Sequence, residues 1–416
     1  MPLTMVDQPL GRVKPISEEV KQRYNVGETN MNATSSLDQL WQRLPEIAAE
    51  AKTRSVEFEE RRSIAPDFAA KLKNENLFNV LVPAEAGGWG GSLPQWLEVM
   101  MKLSEADTST GWVTAHSNIC SALIYSCAEP RFRDEFLSDP SACAAWSNLP
   151  QVEVQELEKG LRVSGRWSFE SGCTTATFVG GMVNLPPLEP GRSPRSVVVL
   201  APVAEAQIDE TWDPVGLAGT GSHDVVFDDV FVPWHRTFPW PTSLPISEYP
   251  SAIFAPGTWF ISICAGATHL GLARRALNEA REQLQGKTDR RSQVLLLEHP
   301  STQRTLEAAE GLWFACRAGM REALTEIWES GLRKEPATAE LRINARVAAA
   351  TAVHKGAEIV RAAYEVSGAS AVRRSGTLQR LLREASCLPH HISVNQVSYE
   401  LTGRVRSGID SLNYRI

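Results

Sequence analysis

The sequence predicts a mainly α-helical chain with a central antiparallel β domain. Amphipathic helical spacing dominates both ends, whereas short β-branched and aromatic runs, punctuated by Gly, Pro and Asp, crowd into the middle. Strand–helix–strand alternation is absent, and no GxGxxG follows a strand, so neither a Rossmann domain nor direct use of a nicotinamide cofactor is expected. The 416 residues exceed what one hydrophobic core usually serves. They divide into a tail or partner-clasping arm (1–35), an N-terminal helical domain (36–150), a middle β domain (151–248) and a C-terminal four-helix bundle (249–416).

Order is expected to begin at Ser36, where Ser36-Leu37-Asp38-Gln39 matches a capping box, followed by Leu37, Leu40, Trp41 and Leu44 at helical spacing. Pro45 is expected to break or restart that helix. Between Val82 and Gly91, four glycines in five positions mark a tight turn or a close backbone approach. Strand-like runs follow at 161–163, 178–179, 196–200, 225–227 and 230–232. Helical character returns from about Ser251. Leu306, Ala309, Trp313, Cys316, Met320, Leu324 and Ile327 trace one apolar face, and a second long helix is expected from Pro336 to Val366 with Gly368 as its stop.

Charge and motifs exclude several classes. With 42 Lys+Arg against 49 Asp+Glu, the formal charge is −7, so neither nucleic acid nor an anionic membrane is an expected partner. No apolar stretch approaches the roughly 20 residues of a spanning helix, and the N-terminus lacks the apolar core of a signal peptide. Seven cysteines without CxxC or CxH spacing argue against a disulfide scaffold and a zinc site, and a reducing cytoplasm is the expected location. GxSxG, HExxH and Walker motifs are missing, which disfavours a serine hydrolase, a zinc peptidase and a P-loop ATPase.

A few residues could carry chemistry. Gly219-Thr220-Gly221-Ser222 is a turn rich in N–H groups and hydroxyls, suited either to a polar heterocycle or phosphate or to a plain hairpin loop. Ser171-Gly172 closes a strand-like run and either orients a ligand or simply turns the chain. His390 and His391 are adjacent and would point apart, a poor chelate, so no metal site is expected. Either one, like His116, could act as a base or donor near neutral pH or be merely structural.

Together the segments resemble the acyl-CoA dehydrogenase superfamily. VPAEAGGWGG resembles its PxxxGGxG loop, GLAGTGSHDVVFDDVFVP its GxxGTGSxxVxFxxVxVP signature, and CAGATHLGLARRALNEA the opening helix of its C-terminal bundle. Arg383-Glu384-Ala385 stands where that family has Arg-Asp-Ala. The likeness runs in order from residue 36 to 410. It places the usual catalytic glutamate at Ile392 and the alternative near Ile261, in a stretch, 255–269, with no Asp or Glu. An isoleucine accepts no proton, so α,β-dehydrogenation lacks its base.

The histidine eight residues after Arg383, together with Trp112, His116 and Ser171-Gly172, is similar to the two-component flavin-dependent monooxygenases of this fold. That subgroup includes the oxygenase component of 4-hydroxyphenylacetate hydroxylase and dibenzothiophene monooxygenase. The resemblance implies reduced flavin (FMNH2 or FADH2) from a separate NAD(P)H:flavin reductase, addition of O2 at the flavin C4a atom, and transfer of one oxygen to a small aromatic substrate such as a phenol or indole. It implies that Ser171 sits near flavin N5, that Trp112 excludes water and, with His391 and His390, binds substrate, and that His116 handles protons. Trp146, Ser147, Gly172, Gly219, Thr220 and Ser222 would hold the flavin, while Gly368 and Ser370 would reach the cofactor of a neighbour in a homotetramer. The alternatives are N- or S-oxygenation, an acyl-CoA dehydrogenase or oxidase with a non-standard base, and a silent flavin-binding scaffold.

Overall fold

Helix α1 (Ser36–Arg61) buries Leu37, Leu40, Leu44, Ile47 and Ala51 along one face. It runs through Pro45, against expectation. Losing one backbone hydrogen bond at a proline costs about 3 kcal/mol, and the apolar residues on both sides, each worth about 1.5–3 kcal/mol when buried, offset it. The computed structural model describes residues 36–189, 194–240, 259–335 and 337–409. The side chain of Ser36, the arm at 1–35, the start at Ser251 and Pro336 therefore lie outside what is described.

After α2 (Pro66–Asn74) comes the glycine loop, which is both turn and close approach. Gly87 and Gly90 take φ of 87° and 62°, and a Cβ on Gly88 would lie 2.0 Å from the Val82 carbonyl oxygen. Helix α3 (Leu93–Ala106) opens on a complete Ser92/Gln95 capping box. Next, α4 (Thr108–Cys127) is buried along most of its length, with Asp107 accepting the Thr110 N–H at its cap. Helix α5 (Pro130–Leu137) completes the N-terminal layer.

The middle holds two antiparallel sheets. One has the order β1 (Pro150–Leu157), β2 (Gly160–Glu170), β6 (His223–Pro233), β5 (Gln207–Asp209); the other has the order β3 (Phe178–Leu185), β4 (Arg195–Pro202), β7 (Thr237–Pro239). All the strand-like runs fall inside these strands, and β1, β5 and β7 are added to them. The end of β2 slips register against β6 between Trp167 and Glu170, which delivers Ser171 out of the sheet toward α4.

The C-terminal part has three long helices, α6 (Trp259–Leu284), α7 (Pro300–Leu332) and α8 (Ala339–Val366), followed by the short α9 (Thr377–Ala385) and α10 (Val397–Arg406). The expected face of α7 is the buried one. The last long helix starts at Ala339 because the Thr338 hydroxyl caps the Leu341 N–H, and it stops as Gly368 turns left-handed at φ 64°.

Helix α9 ties the layers together. Arg383 donates to the Val215 carbonyl (2.6 Å) and pairs with Glu59 of α1 (2.5 Å). Glu384 is buried and accepts the Thr108 hydroxyl at 2.7 Å. Burial pushes its carboxyl up from 4.5 to about 7, opposed by Arg380. Between those two values the folded state binds more protons than the unfolded one, so this group's stabilisation is full below about pH 4.5 and is lost as pH rises through about 7. Glu384→Gln should flatten the decline of the melting midpoint between pH 5 and 8; an unchanged pH dependence would contradict a protonated Glu384.

Candidate functional site

A directed run of hydrogen bonds joins three elements. The Thr220 hydroxyl donates to the Leu217 carbonyl at 2.8 Å, so its oxygen accepts from Ser222 (2.7 Å). Ser222 in turn accepts from Ser171 (2.7 Å), and Ser171 accepts the indole N–H of Trp112 (2.8 Å). Every donor is used once, and all four side chains are buried. Helix α4, the end of β2 and the turn before β6 are thereby locked together. Gly172 permits this approach: its φ is +80°, and a Cβ would meet Val113 at 2.9 Å. Gly219 packs against Ser109 and Phe58, where a Cβ would lie 3.0 Å from Ser109.

Trp112 also organises the histidines. Its ring lies 5.6 Å from His391, edge-on, and 6.3 Å from His116, stacked. The His391 Nδ1 accepts the Ser393 backbone N–H (3.2 Å) with the Ser393 hydroxyl at 2.7 Å, which leaves the ring proton on Nε2. Burial lowers both histidines to about 4, with His391 adding to the shift of His116. Both imidazoles are therefore neutral at physiological pH. His390 is exposed; it lines an outer cleft and one of the two cavities that meet here, but not the one that takes His116.

Two cavities of about 430 and 460 Å³ meet at these residues. Trp112, Leu149, Phe169, Ser171, His391 and Ile392 line both. The first also takes His116, Trp146, Ser147, Asn148, Ile261 and Arg346; the second takes Trp212, Thr220 and Ser222. Among the described residues neither lining includes an Asp or Glu; Ile392, the position expected for the usual dehydrogenase base, lines both cavities, and Ile261, near the alternative position, lines the first. Among the described residues no cluster of three or more His, Cys, Asp or Glu could hold a metal.

Trp146 and Ser147 reach the site because their segment runs parallel to β3, with Ser147 accepting the Met182 N–H at 3.0 Å and donating to the Ser168 carbonyl at 2.6 Å. Gly368 and Ser370 lie apart from both cavities, in a turn where Ser370 accepts from Lys287 at 2.9 Å.

Sequence reading missed two lining residues of consequence. Phe169 has φ 61° and is 60 % exposed at the shared cavity wall, a strained posture for an aromatic that a β-propensity pattern does not reveal. Arg346 is buried within α8, on the apolar stripe Ile343, Arg346, Ala350, Val353; a cation on such a stripe was the available signal. A flat, uncharged heteroaromatic ring with several hydrogen-bonding edges fits this lining of indole and phenyl faces, hydroxyls and backbone amides, and an isoalloxazine is such a ring.

Comparison with known proteins agrees with this chemistry. Residues 37–141 match the acyl-CoA dehydrogenase N-terminal domain and residues 263–396 its C-terminal domain, together more than half the chain. The chain belongs to the acyl-CoA dehydrogenase family. Within it, the chain is similar to indole-3-acetate monooxygenase of Pseudomonas putida (29% identical, 86% of this chain and 90% of the relative). It is equally similar to the oxygenase component of FADH2-dependent resorcinol hydroxylase from Rhizobium sp. (29%, 85% and 90%). Among solved structures, XiaF from Streptomyces sp., in complex with FADH2 and glycerol, shares the fold with a TM-score of 0.81 at 20% identity, over 91% of this chain and 97% of that one. The chain is an oxidoreductase of the flavin-dependent monooxygenase kind.

Ser171→Ala would leave the buried Trp112 N–H without its acceptor. Such a loss costs about 1–3 kcal/mol, read as a lower urea midpoint; an unshifted midpoint would show that the hydroxyl run does not hold these elements together.

Proposed function

We propose that this chain is the oxygenase component of a two-component monooxygenase that hydroxylates a small aromatic or heteroaromatic compound, a phenol or an indole, with reduced flavin delivered by a separate NAD(P)H:flavin reductase. The observation that carries the reading is the cavity itself: no carboxylate lines it among the described residues, isoleucines stand at the usual base position and near the alternative one, and two neutral histidines stand against Trp112. Bound reduced flavin supplies the electrons that activate O2. Ser171, Gly172, Thr220 and Ser222, with Trp146 and Ser147 from the parallel segment, would hold it, and Gly219 shapes their turn.

The roles of the remaining residues follow from their chemistry. Trp112 and Phe169 exclude water from the reacting centre. His391 donates its Nε2–H to the substrate oxygen; a phenol that has given its proton to solvent is held by that hydrogen bond as the electron-rich phenolate, the ring that accepts oxygen. A proton affinity near 4 prevents the imidazole from taking the phenolic proton outright. His116, equally neutral, passes protons at its side of Trp112, and His390 borders the substrate's route in. The assembly proposed is a cytoplasmic homotetramer in which Gly368 and Ser370 face the cofactor of a neighbouring subunit. Among the described residues no helix is long and apolar enough to cross a membrane.

Mixing the protein with a flavin reductase, NAD(P)H, flavin and a panel of phenols and indoles should give hydroxylated product only when reduced flavin is supplied. Reduction of bound flavin by an acyl-CoA would overturn the reading. His391→Ala should lower kcat/KM by about 100-fold, the lower range for a positioned proton-handling group; unchanged turnover would remove His391 from the mechanism.

A further inference from the structure

We propose that Arg346 is the anchor for a carboxylate on the substrate, so that the compound oxygenated is an aromatic acid rather than a neutral arene; this rests on the monooxygenase reading above. Arg346 is 5 % exposed and lines the same cavity as Trp112 and His391. Its one hydrogen bond among the described residues runs from Nε to the Ser398 hydroxyl at a long 3.4 Å, and no carboxylate pairs with it. Ser398 is itself committed, donating to the Ser393 carbonyl at 2.8 Å, so it offers the guanidinium no compensating charge.

An unpaired buried cation is costly, and a stretch of helix otherwise occupied by Ile343, Ala350 and Val353 would be more stable with an apolar residue there. The two terminal nitrogens remain available to form a forked pair with a planar anion, for which guanidinium geometry is suited. Among the described residues no acid lines the cavity, so the anion is assigned to the ligand. A single guanidinium matches a monoanionic carboxylate, whereas a flavin phosphate would call for further donors, and the hydroxyl-rich turn at Thr220 and Ser222 lines the other cavity.

The test uses binding, independent of turnover. The flavin-free protein is titrated with indole-3-acetate and with its neutral isostere indole-3-acetamide, following the fluorescence of the cavity tryptophans. The wild type should bind the acetate at least about tenfold tighter than the amide, the gain of one charge-assisted pair. Arg346→Gln should abolish that preference while leaving the amide within twofold, and Arg346→Lys should keep part of it. Equal affinity for the two ligands in the wild type, or equal weakening of both in the glutamine variant, would overturn the proposal. So would loss of reduced-FMN affinity with the acetate preference intact, which would assign the cation to the cofactor. An Arg346-dependent preference without oxygenated product would support the anchor while overturning the monooxygenase reading.

Discussion

The site depends on the hydroxyl run from Trp112 through Ser171, Ser222 and Thr220 to the Leu217 carbonyl. These residues come from a helix of the N-terminal layer, a strand end and the turn leading into another strand, and nothing in local sequence brings them together. Because each hydroxyl donates once and accepts once, between an indole N–H that only donates and a carbonyl that only accepts, the arrangement has a single polarity. It fixes the Trp112 ring, and through that ring the distances to His116 and His391. Loosening any member would leave a buried donor unpaired.

The second constraint is desolvation. The cavity walls carry indole, phenyl and aliphatic surface, and burial holds both histidines near 4. A neutral imidazole whose Nδ1 is occupied by Ser393 is a donor and little else, which is a narrower role than a general base. In this chain the cavity wall carries Ile261, Ile392 and the His391 imidazole among its described residues, a lining suited to hydrogen-bond donation rather than to proton abstraction.

Much of this was legible in the sequence, for reasons that can be named. The order of helix, sheet and helix followed from periodicity, since burial on one side imposes it element by element. The glycine loop, the Ser171-Gly172 strand end and the Thr220-Gly221-Ser222 turn were visible because special backbone geometry needs special residues. Pro45 was misjudged because the burial of Leu44 and Ile47 is a tertiary gain that a local rule omits. Phe169 is marked by a backbone angle that no local pattern carries, whereas Arg346 stood as a cation on an apolar helical stripe, a signal in the sequence whose meaning depends on the charged partner it lacks among the described residues. His390 and His391 both line the second cavity and only His391 lines the first, a difference set by the turn after Leu388 that spacing alone does not show.

The most direct measurement of the central claim, that this cavity inserts oxygen and does not abstract a proton, is the fate of labelled dioxygen. The protein is supplied with reduced flavin, an aromatic substrate and 18O2, and the product is weighed by mass spectrometry. One 18O atom per product molecule is the result the account predicts. A product whose oxygen comes from water, or an unsaturated product without new oxygen, would contradict it.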